Sequence, residues 1–357
     1  MASLSIAHPE TGVTVGVDTH GEVHVAAAFT NDLGRPLGHL EIPTTPSGYR
    51  RLLHWACSLG TPVQFGIEGT GSFGAGLTRF LRSEGHTVIE VNRPNRQTRR
   101  SRGKSDPVDA EAAARAVLSG EARAIAKDGH DLVGMISSLR VARRSAVKMR
   151  TQIANQMHAL LITAPSELRE RLRTLSRGQL IGTAASMRPG AVTTPMAATK
   201  LALKGLAMRH ELLSAELATL DLELARLTVK AAPALCGLTG VGTDVAGALL
   251  VAVGDNPERL RSEGSFANLC GAAPLPASSG KMSNRHRLNR GGDRLANGAL
   301  WRIVMTRLAC HEPTRTYMVR RTAQGMSKRE IVRCLKRYVA REVYRCLMST
   351  RELTAAA

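Results

Sequence analysis

The chain has 357 residues, 43% of them hydrophobic, enough for two or three domains with ordinary cores, which excludes a disordered polymer. Its formal charge is +20, with Arg outnumbering Lys, so a polyanion held through bidentate phosphate contacts is the expected partner and nucleic acid the first candidate. The absence of a long apolar span or a lipidation signal argues against a membrane, and an aromatic content of 3% argues against base stacking as the main binding mode.

The first segment alternates apolar and small residues through Val13-Thr-Val-Gly-Val-Asp18, turns at Thr19-His-Gly-Glu22 and resumes the alternation over His24–Thr30, which predicts a hairpin. A third strand is expected at His39–Pro43. A helix near Ser47–Cys57, a strand Val63–Gly69, a helix Phe73–Ser83, a strand His86–Val91 and a helix Pro107–Leu118 follow. The order βββαβαβα is that of the ribonuclease-H-like fold, so the predicted class is α/β at the N-terminus and mostly α beyond it.

From about Asp131 to Lys230 the pattern changes to long helices. Leu203, Leu206, His210, Leu213, Leu217, Leu220, Leu224 and Leu227 repeat at alternating spacings of 3 and 4, a heptad seam with one polar position that predicts a coiled coil. A looser seam, Leu132, Ile136, Leu139, Ala146, Met149, Ile153 and Leu160, offers a partner within the chain or in a second subunit. Residues 164–198, rich in Pro, Gly, Ser and Thr, read as the connection.

Pro233 ends the coil. Leu238-Thr-Gly-Val-Gly242 before Ala246–Val251 resembles a helix-hairpin-helix element, whose tight turn lets backbone N–H groups approach a phosphate, although such turns also join helices without a ligand. Ser327-Lys-Arg-Glu330 is a capping box opening a basic helix through about Leu347, which is expected to pack by one face and show its Arg and Lys to a polyanion.

Charge follows the same division. Residues 1–92 carry 5 Lys/Arg against 8 Asp/Glu, whereas residues 281–345 carry 17 against 4, which concentrates the affinity for a polyanion in the C-terminal third. Six scattered cysteines without a Cys-x-x-Cys pair, and no secretory leader at Met1–Glu10, lead to the expectation of reduced thiols in a cytoplasmic protein without a zinc site.

Four acids fall at element ends in this pattern. Asp18 closes the first strand on the face opposite Val13, Val15 and Val17, Glu68 closes a neighbouring strand, and Asp106 and Asp109 stand three apart at a helix start. Carboxylate oxygens suit Mg²⁺, and two such ions can stabilise both the attacking and the leaving oxygen of a phosphoryl transfer. The plainer alternative is that Asp106 caps the helix ahead of Pro107 at N1, that Asp109 favours the helix dipole, and that Asp18 belongs to a simple turn. An adjacent basic run without an acid, Arg93, Arg96, Arg99, Arg100, Arg102 and Lys104, is a candidate nucleic-acid contact.

Far downstream, Gly271-Ala-Ala-Pro-Leu-Pro-Ala-Ser-Ser-Gly-Lys281 leads into Arg285, His286, Arg287 and Arg290. A serine becomes a nucleophile when a base takes its proton and cations offset charge on the attacked phosphate, and the arginines meet the second need. From spacing alone the plainer reading is that Ser278 and Ser279 donate hydrogen bonds to a bound phosphate.

The stretches Gly16-Val-Asp-Thr-His20, Gly66-Ile-Glu-Gly-Thr70, Gly103-Lys-Ser-Asp-Pro-Val-Asp-Ala110, Leu238-Thr-Gly-Val-Gly242, Ala273-Pro through Ser279-Gly-Lys281 and His286-Arg-Leu-Asn-Arg-Gly-Gly-Asp-Arg294 span nearly the whole chain. In that order they resemble the transposases of insertion sequence family 110, DEDD-type enzymes guided by a bridge RNA. The resemblance implies a RuvC-like domain over residues 1–125, a helical coiled-coil domain over 126–232 and a C-terminal serine transposase domain over 233–357. It implies Asp18, Glu68, Asp106 and Asp109 as ligands of two Mg²⁺ ions and Ser279 as the nucleophile. Ser278 stands where a larger polar residue is common, so it competes for that role. Implied partners are donor and target DNA, an element-encoded guide RNA and further copies of the chain in a dimer or tetramer, which would allow acids and serine to come from different chains. The nucleic-acid contacts would be Arg93, Arg96, Arg99, Arg100, Arg102, Lys104, Lys281, Arg285, Arg287, Arg290 and Arg294. The rival readings are a Mg²⁺-dependent RuvC-like junction nuclease that hydrolyses DNA without a covalent adduct, and a non-catalytic nucleic-acid scaffold.

Overall fold

The structure is a computed structural model describing residues 12–61, 63–91, 105–127, 132–254, 260–276, 286–289 and 291–355. It divides into two compact units, Met1–His130 with Val253–Ser262, and Asp131–Ala252 with Glu263–Ala357.

In the first unit, β1 (Val13–Thr19), β2 (Val23–Thr30) and β3 (Pro36–Pro43) form an antiparallel meander. β4 (Val63–Glu68) pairs parallel to β1, β5 (Thr87–Val91) pairs parallel to β4, and the two-residue β6 (Ala124–Ile125) closes the sheet antiparallel to β5, giving the order β3-β2-β1-β4-β5-β6. This mixed sheet fits a ribonuclease-H-like domain. The third strand begins at Pro36, earlier than its sequence pattern indicated, because pairing with β2 continues past a register shift at Ala28/Phe29.

Alternation along the strands assigns the helices to faces. Val13, Val15 and Val17 of β1 and Phe65 and Ile67 of β4 share a core with Leu52 of α1 (Pro46–Leu59) and Leu77 and Leu81 of α2 (Ala75–Ser83). Val25, Ala27 and Phe29 of β2 pack instead on Ala110 and Ala114 of α3 (Asp106–Leu118). Gly16 and Gly66, one pleat out of phase with those valines, let α3 lie flat on the sheet. A β-carbon at Gly16 would collide with the backbone of Ala110 and Ala114, and one at Gly66 would stand 2.6 Å from Val117 Cγ2. The missing side chains therefore set how close α3 comes.

In the second unit, α4 (Leu132–Ile162) and α7 (Pro195–Ala231) run antiparallel: Arg143 pairs with Asp221, while residues 156–163 line a common cavity with residues 202–209. The leucine seam is packed within the chain, with Leu203, Leu206, Leu217, Leu224 and Leu227 all buried. The connecting segment is more ordered than its composition indicated. It holds α5 (Ser166–Leu172) and α6 (Arg177–Ala185), because Leu168, Leu172, Ile181 and Ala184 bury against the base of the pair and a Ser176/Gln179 capping box starts α6.

The remainder is helical: α8 (Pro233–Cys236), α9 (Thr243–Val253), α10 (Glu263–Leu269), α11 (Arg294–Cys310), α12 (Glu312–Ala323) and α13 (Lys328–Ala355), with a small ribbon of β7 (Pro274–Pro276) and β8 (His286–Leu288). Gly240 turns between α8 and α9 at φ +85° against Ile303. Asp244, in the first turn of α9, draws in Arg140 and Arg143 of α4 and Arg302 of α11, tying α4 and α11 to α9 through one carboxylate. The capping box before α13 is present, with Ser327 N–H donating to Glu330 Oε2 at 3.0 Å and Glu330 N–H to Ser327 Oγ at 3.4 Å.

Candidate active site

Strand register places Asp18 and Glu68 at the same end of adjacent parallel strands, since Val17 pairs with Ile67 just before them. Each acid lies two residues beyond a glycine, and side chains repeat every second residue, so Asp18 follows Gly16 and Glu68 follows Gly66 onto the face covered by α3. Thr19 Oγ1 donates to the Glu68 carbonyl oxygen at 2.8 Å and fixes the two strand ends to each other.

The helix supplies the other two acids. Its N-cap is Ser105, whose side chain makes no capping bond, so Asp106 is the first helical residue and its carboxylate is not spent on the helix end. The Asp106 Oδ1 atom stands 3.4 Å from His20 Nε2, and Asp18 Oδ2 stands 3.2 Å from the same nitrogen. Asp109, one turn along, is 3% exposed and close enough to Asp18 to act on its charge. Asp18, Asp106 and Asp109 therefore gather under the end of β1, with Glu68 beside them on β4.

Burial pushes the Asp18 carboxyl above the usual carboxylate range; His20 pulls it back, while Asp109 and Asp106 push it up further. Three like charges in a half-buried place, with an imidazole as the cationic group acting on Asp18, form a site short of positive charge. A divalent cation held by carboxylate oxygens fits that donor set. The grouping of Asp18, His20 and Asp106 presents three ligand atoms all within 4.8 Å of one another. His20 was read from sequence only as part of a turn; its place two residues after the strand-end acid, on the same side of an extended chain, was the available signal.

The basic run Arg93, Arg96, Arg99, Arg100, Arg102 and Lys104 lies outside the described residues, as do Ser278, Ser279, Lys281, Arg285 and Arg290. The serines fall in sequence between β7 and β8, and the base of that ribbon is well anchored. Asn297 Nδ2 donates to the carbonyl oxygens of Cys270 and Gly271 at 2.8 and 3.0 Å, and buried Lys336 donates to Asn297 Oδ1 at 2.8 Å. Beside it opens a cleft of about 380 Å³ lined by Arg287 of β8 and by Arg333, Arg337, Tyr338 and Arg341 of α13. Glu263 pairs with Arg337 at 2.5 Å and Arg341 at 3.1 Å, holding them along one helix face. Arg287 and Arg294 are exposed. The sequence leads to a basic helix that packs by one face and shows its Arg and Lys to a polyanion, but not to which arginines those are, because a helix that is basic on several sides does not declare which side packs.

A sheet whose strand-end acids meet a helix bearing two more is the arrangement of metal-dependent enzymes that act on phosphodiesters. Residues 15–164 match the family model for the DEDD domain of IS110, described as a transposase. Residues 232–319 match the model described as transposase IS116/IS110/IS902 family. The chain belongs to the IS110 family of transposases, and is thus an enzyme that cleaves and rejoins DNA. No characterised protein matches it in a direct sequence comparison. Among the described residues no helix is long and apolar enough to cross a membrane.

Proposed function

We propose that this transposase excises and inserts an insertion sequence by Mg²⁺-assisted, serine-mediated strand exchange between donor and target DNA, guided by an element-encoded bridge RNA. The observation that carries the reading is the convergence of Asp18, Asp106 and Asp109 at the end of β1, with Glu68 on the neighbouring strand. Asp18, Glu68, Asp106 and Asp109 would hold one or two Mg²⁺ ions. The bound cations would offset charge on the attacked phosphate and on the leaving oxygen.

The remaining chemistry falls to the protein. The Ser279 hydroxyl attacks a DNA phosphorus, a phosphoserine ester forms as the P–O bond to the departing strand breaks, the hydroxyl proton is given up and the departing oxygen accepts one. The ester keeps the bond energy for rejoining. Arg287, Arg294, the α13 arginines and the basic runs on either side would hold phosphates, which positions a duplex without reading its bases and leaves target choice to RNA pairing. We divide the chain into residues 1–125, 126–232 and 233–357; the start of the second family match at residue 232 supports the last boundary, whereas the first match, residues 15–164, runs past residue 125. A cytoplasmic location suits an enzyme whose substrate is DNA.

Assembly into a dimer or tetramer is supported by a second stripe on α7. Leu201, Met208, Leu212, Leu222 and Val229 are exposed and share the side opposite the packed seam. Acids and serine would then come from different chains. Mixing a Ser279→Ala chain with an Asp18→Ala chain restores cleavage if the site is shared.

The mechanism is tested by trapping labelled DNA on denatured protein in the presence of guide RNA, for wild type, Ser279→Ala and Ser278→Ala. An adduct lost only with Ser279→Ala supports the proposal. An adduct lost only with Ser278→Ala moves the nucleophile by one residue, and cleavage without any adduct replaces the serine mechanism with metal-assisted hydrolysis.

A further inference from the structure

The four acids leave His20 without an assigned part, yet its ring stands between two of them. His20 Nε2 is 3.2 Å from Asp18 Oδ2 and 3.4 Å from Asp106 Oδ1, so this nitrogen faces the space the two carboxylates share, where it donates a proton to a carboxylate or, without that proton, offers its lone pair to a cation. The side chain is 47% exposed, so the space beside the ring is open to an ion arriving from solvent.

The backbone beneath it is held by an independent device. His20 N–H donates to His24 Nδ1 at 3.3 Å, which places the His24 proton on Nε2. His24 is fully buried, and its ring lies parallel to Tyr49 with centroids 6.0 Å apart. Burial lowers its pKa below the usual histidine value, so the acceptor form is the stable one. That buried Nε2 has no hydrogen-bond partner among the described residues, so the ring is fixed by its bond to the His20 amide and by stacking on Tyr49. A histidine carried on a turn that a second, buried histidine pins from below is built to present its ring in one direction.

We propose that His20 is a ligand of the divalent cation, its Nε2 binding beside Asp18 and Asp106, so that the site is a mixed nitrogen and oxygen one. The inference rests on the carboxylate metal site of the preceding reading and adds a donor to it. An imidazole nitrogen raises affinity for transition-metal ions far more than for Mg²⁺, which prefers hard oxygen donors. The site would therefore take Mn²⁺ in preference to Mg²⁺ at equal concentration, while Mg²⁺ would fill it where it is in large excess.

The test is binding of Mn²⁺ alone to the metal-free full-length protein, followed by the paramagnetic resonance of free and bound ion, with Mg²⁺ as competitor. Wild type, His20→Ala, His24→Phe and Asp18→Ala are compared, each shown to be folded by its melting curve. His20→Ala is expected to weaken Mn²⁺ by at least about tenfold, with a much smaller effect on Mg²⁺. Bound Mn²⁺ in wild type is expected to show coupling to a nitrogen nucleus, lost in His20→Ala and retained in His24→Phe. Unchanged Mn²⁺ affinity in His20→Ala with loss in Asp18→Ala overturns the role of His20 and leaves the carboxylate site standing. Unchanged affinity in both overturns the metal site itself, and the ligand with it.

Discussion

Gly16 lies directly against Ala110: a β-carbon at position 16 would run into the Ala110 carbonyl oxygen and the Ala114 amide nitrogen. The contact is between backbones, so no side chain can rotate away to make room. It sets the height of α3 over the sheet one residue after Asp109 and two residues before Asp18. Gly16→Ala is expected to lift the start of α3, costing about 1–3 kcal/mol in stability through overpacking and separating Asp109 from Asp18. Chemical denaturation measures the first effect and cation binding the second. A variant as stable as wild type with unaltered Mn²⁺ affinity would show that the helix start does not depend on this contact.

The gathered acids make the cation-free protein pay for its site. Asp18 has a folded pKa raised by burial and by Asp109 and Asp106, against the pull of His20. A group with a raised folded pKa contributes stability that is fully present below its unfolded value of about 3.9 and is lost as pH rises through the folded value. At neutral pH without divalent cation, Asp18→Asn is therefore expected to melt above wild type. Saturating Mg²⁺ reverses the order, adding about 2.7 kcal/mol to wild type at a hundredfold excess over its dissociation constant and little to the variant. Calorimetry with and without Mg²⁺ reads both halves, and an Asp18→Asn protein that gains as much from Mg²⁺ as wild type contradicts the prediction.

The sequence pattern puts Asp18 and Glu68 at the ends of neighbouring strands, and the structure keeps those strand ends side by side. That Gly16 and Gly66 stand in step with the two acids and admit a helix on that face is visible only once α3 is packed on the sheet. What sequence left open was the role of Asp106. Asp-Pro is also the signature of a helix cap, and only the geometry reveals Ser105 at the cap and the Asp106 carboxylate turned toward His20. The two short helices in residues 166–185 escaped notice because each is stabilised by burying a few leucines and an isoleucine against the long pair, a tertiary effect that propensity does not carry. β6 is two residues long, too short for any periodic pattern.

The seam of α7 has one polar position, His210, whose titration is expected to make the stability of the pair depend on pH. Burial lowers the His210 pKa, and Arg150 and Arg177 lower it further. Between the folded value and the ordinary value of about 6.5 the unfolded chain binds the extra proton, so this contribution to stability is present above pH 6.5 and is lost as pH falls through that window. His210→Leu completes the apolar seam. It is expected to stabilise the protein by roughly 1 kcal/mol at pH 7 and by more at pH 5, since the variant has no proton to take up. Denaturant midpoints at the two pH values check it, and equal gains at both would rule out the titration.

The α13 cleft makes a different kind of prediction, because its energy comes from released counterions. Arg333, Arg337, Arg341 and Arg287 present guanidinium groups around one opening, and Glu263 restrains two of them by ion pairs that a phosphate could supplant. Arg333→Ala and Arg287→Ala leave those pairs intact and so isolate the loss of a phosphate contact. Each is expected to weaken DNA binding to a similar degree for all sequences, and to reduce the slope of log affinity against log salt by about 0.9 for each duplex phosphate no longer contacted. Glu263→Gln should do the opposite, raising affinity by freeing Arg337 and Arg341. Binding isotherms at several salt concentrations separate these outcomes. A slope that stays at its wild-type value in both arginine variants would mean that the cleft faces something other than nucleic acid, and the charge of the C-terminal third would then have to act through its other surfaces.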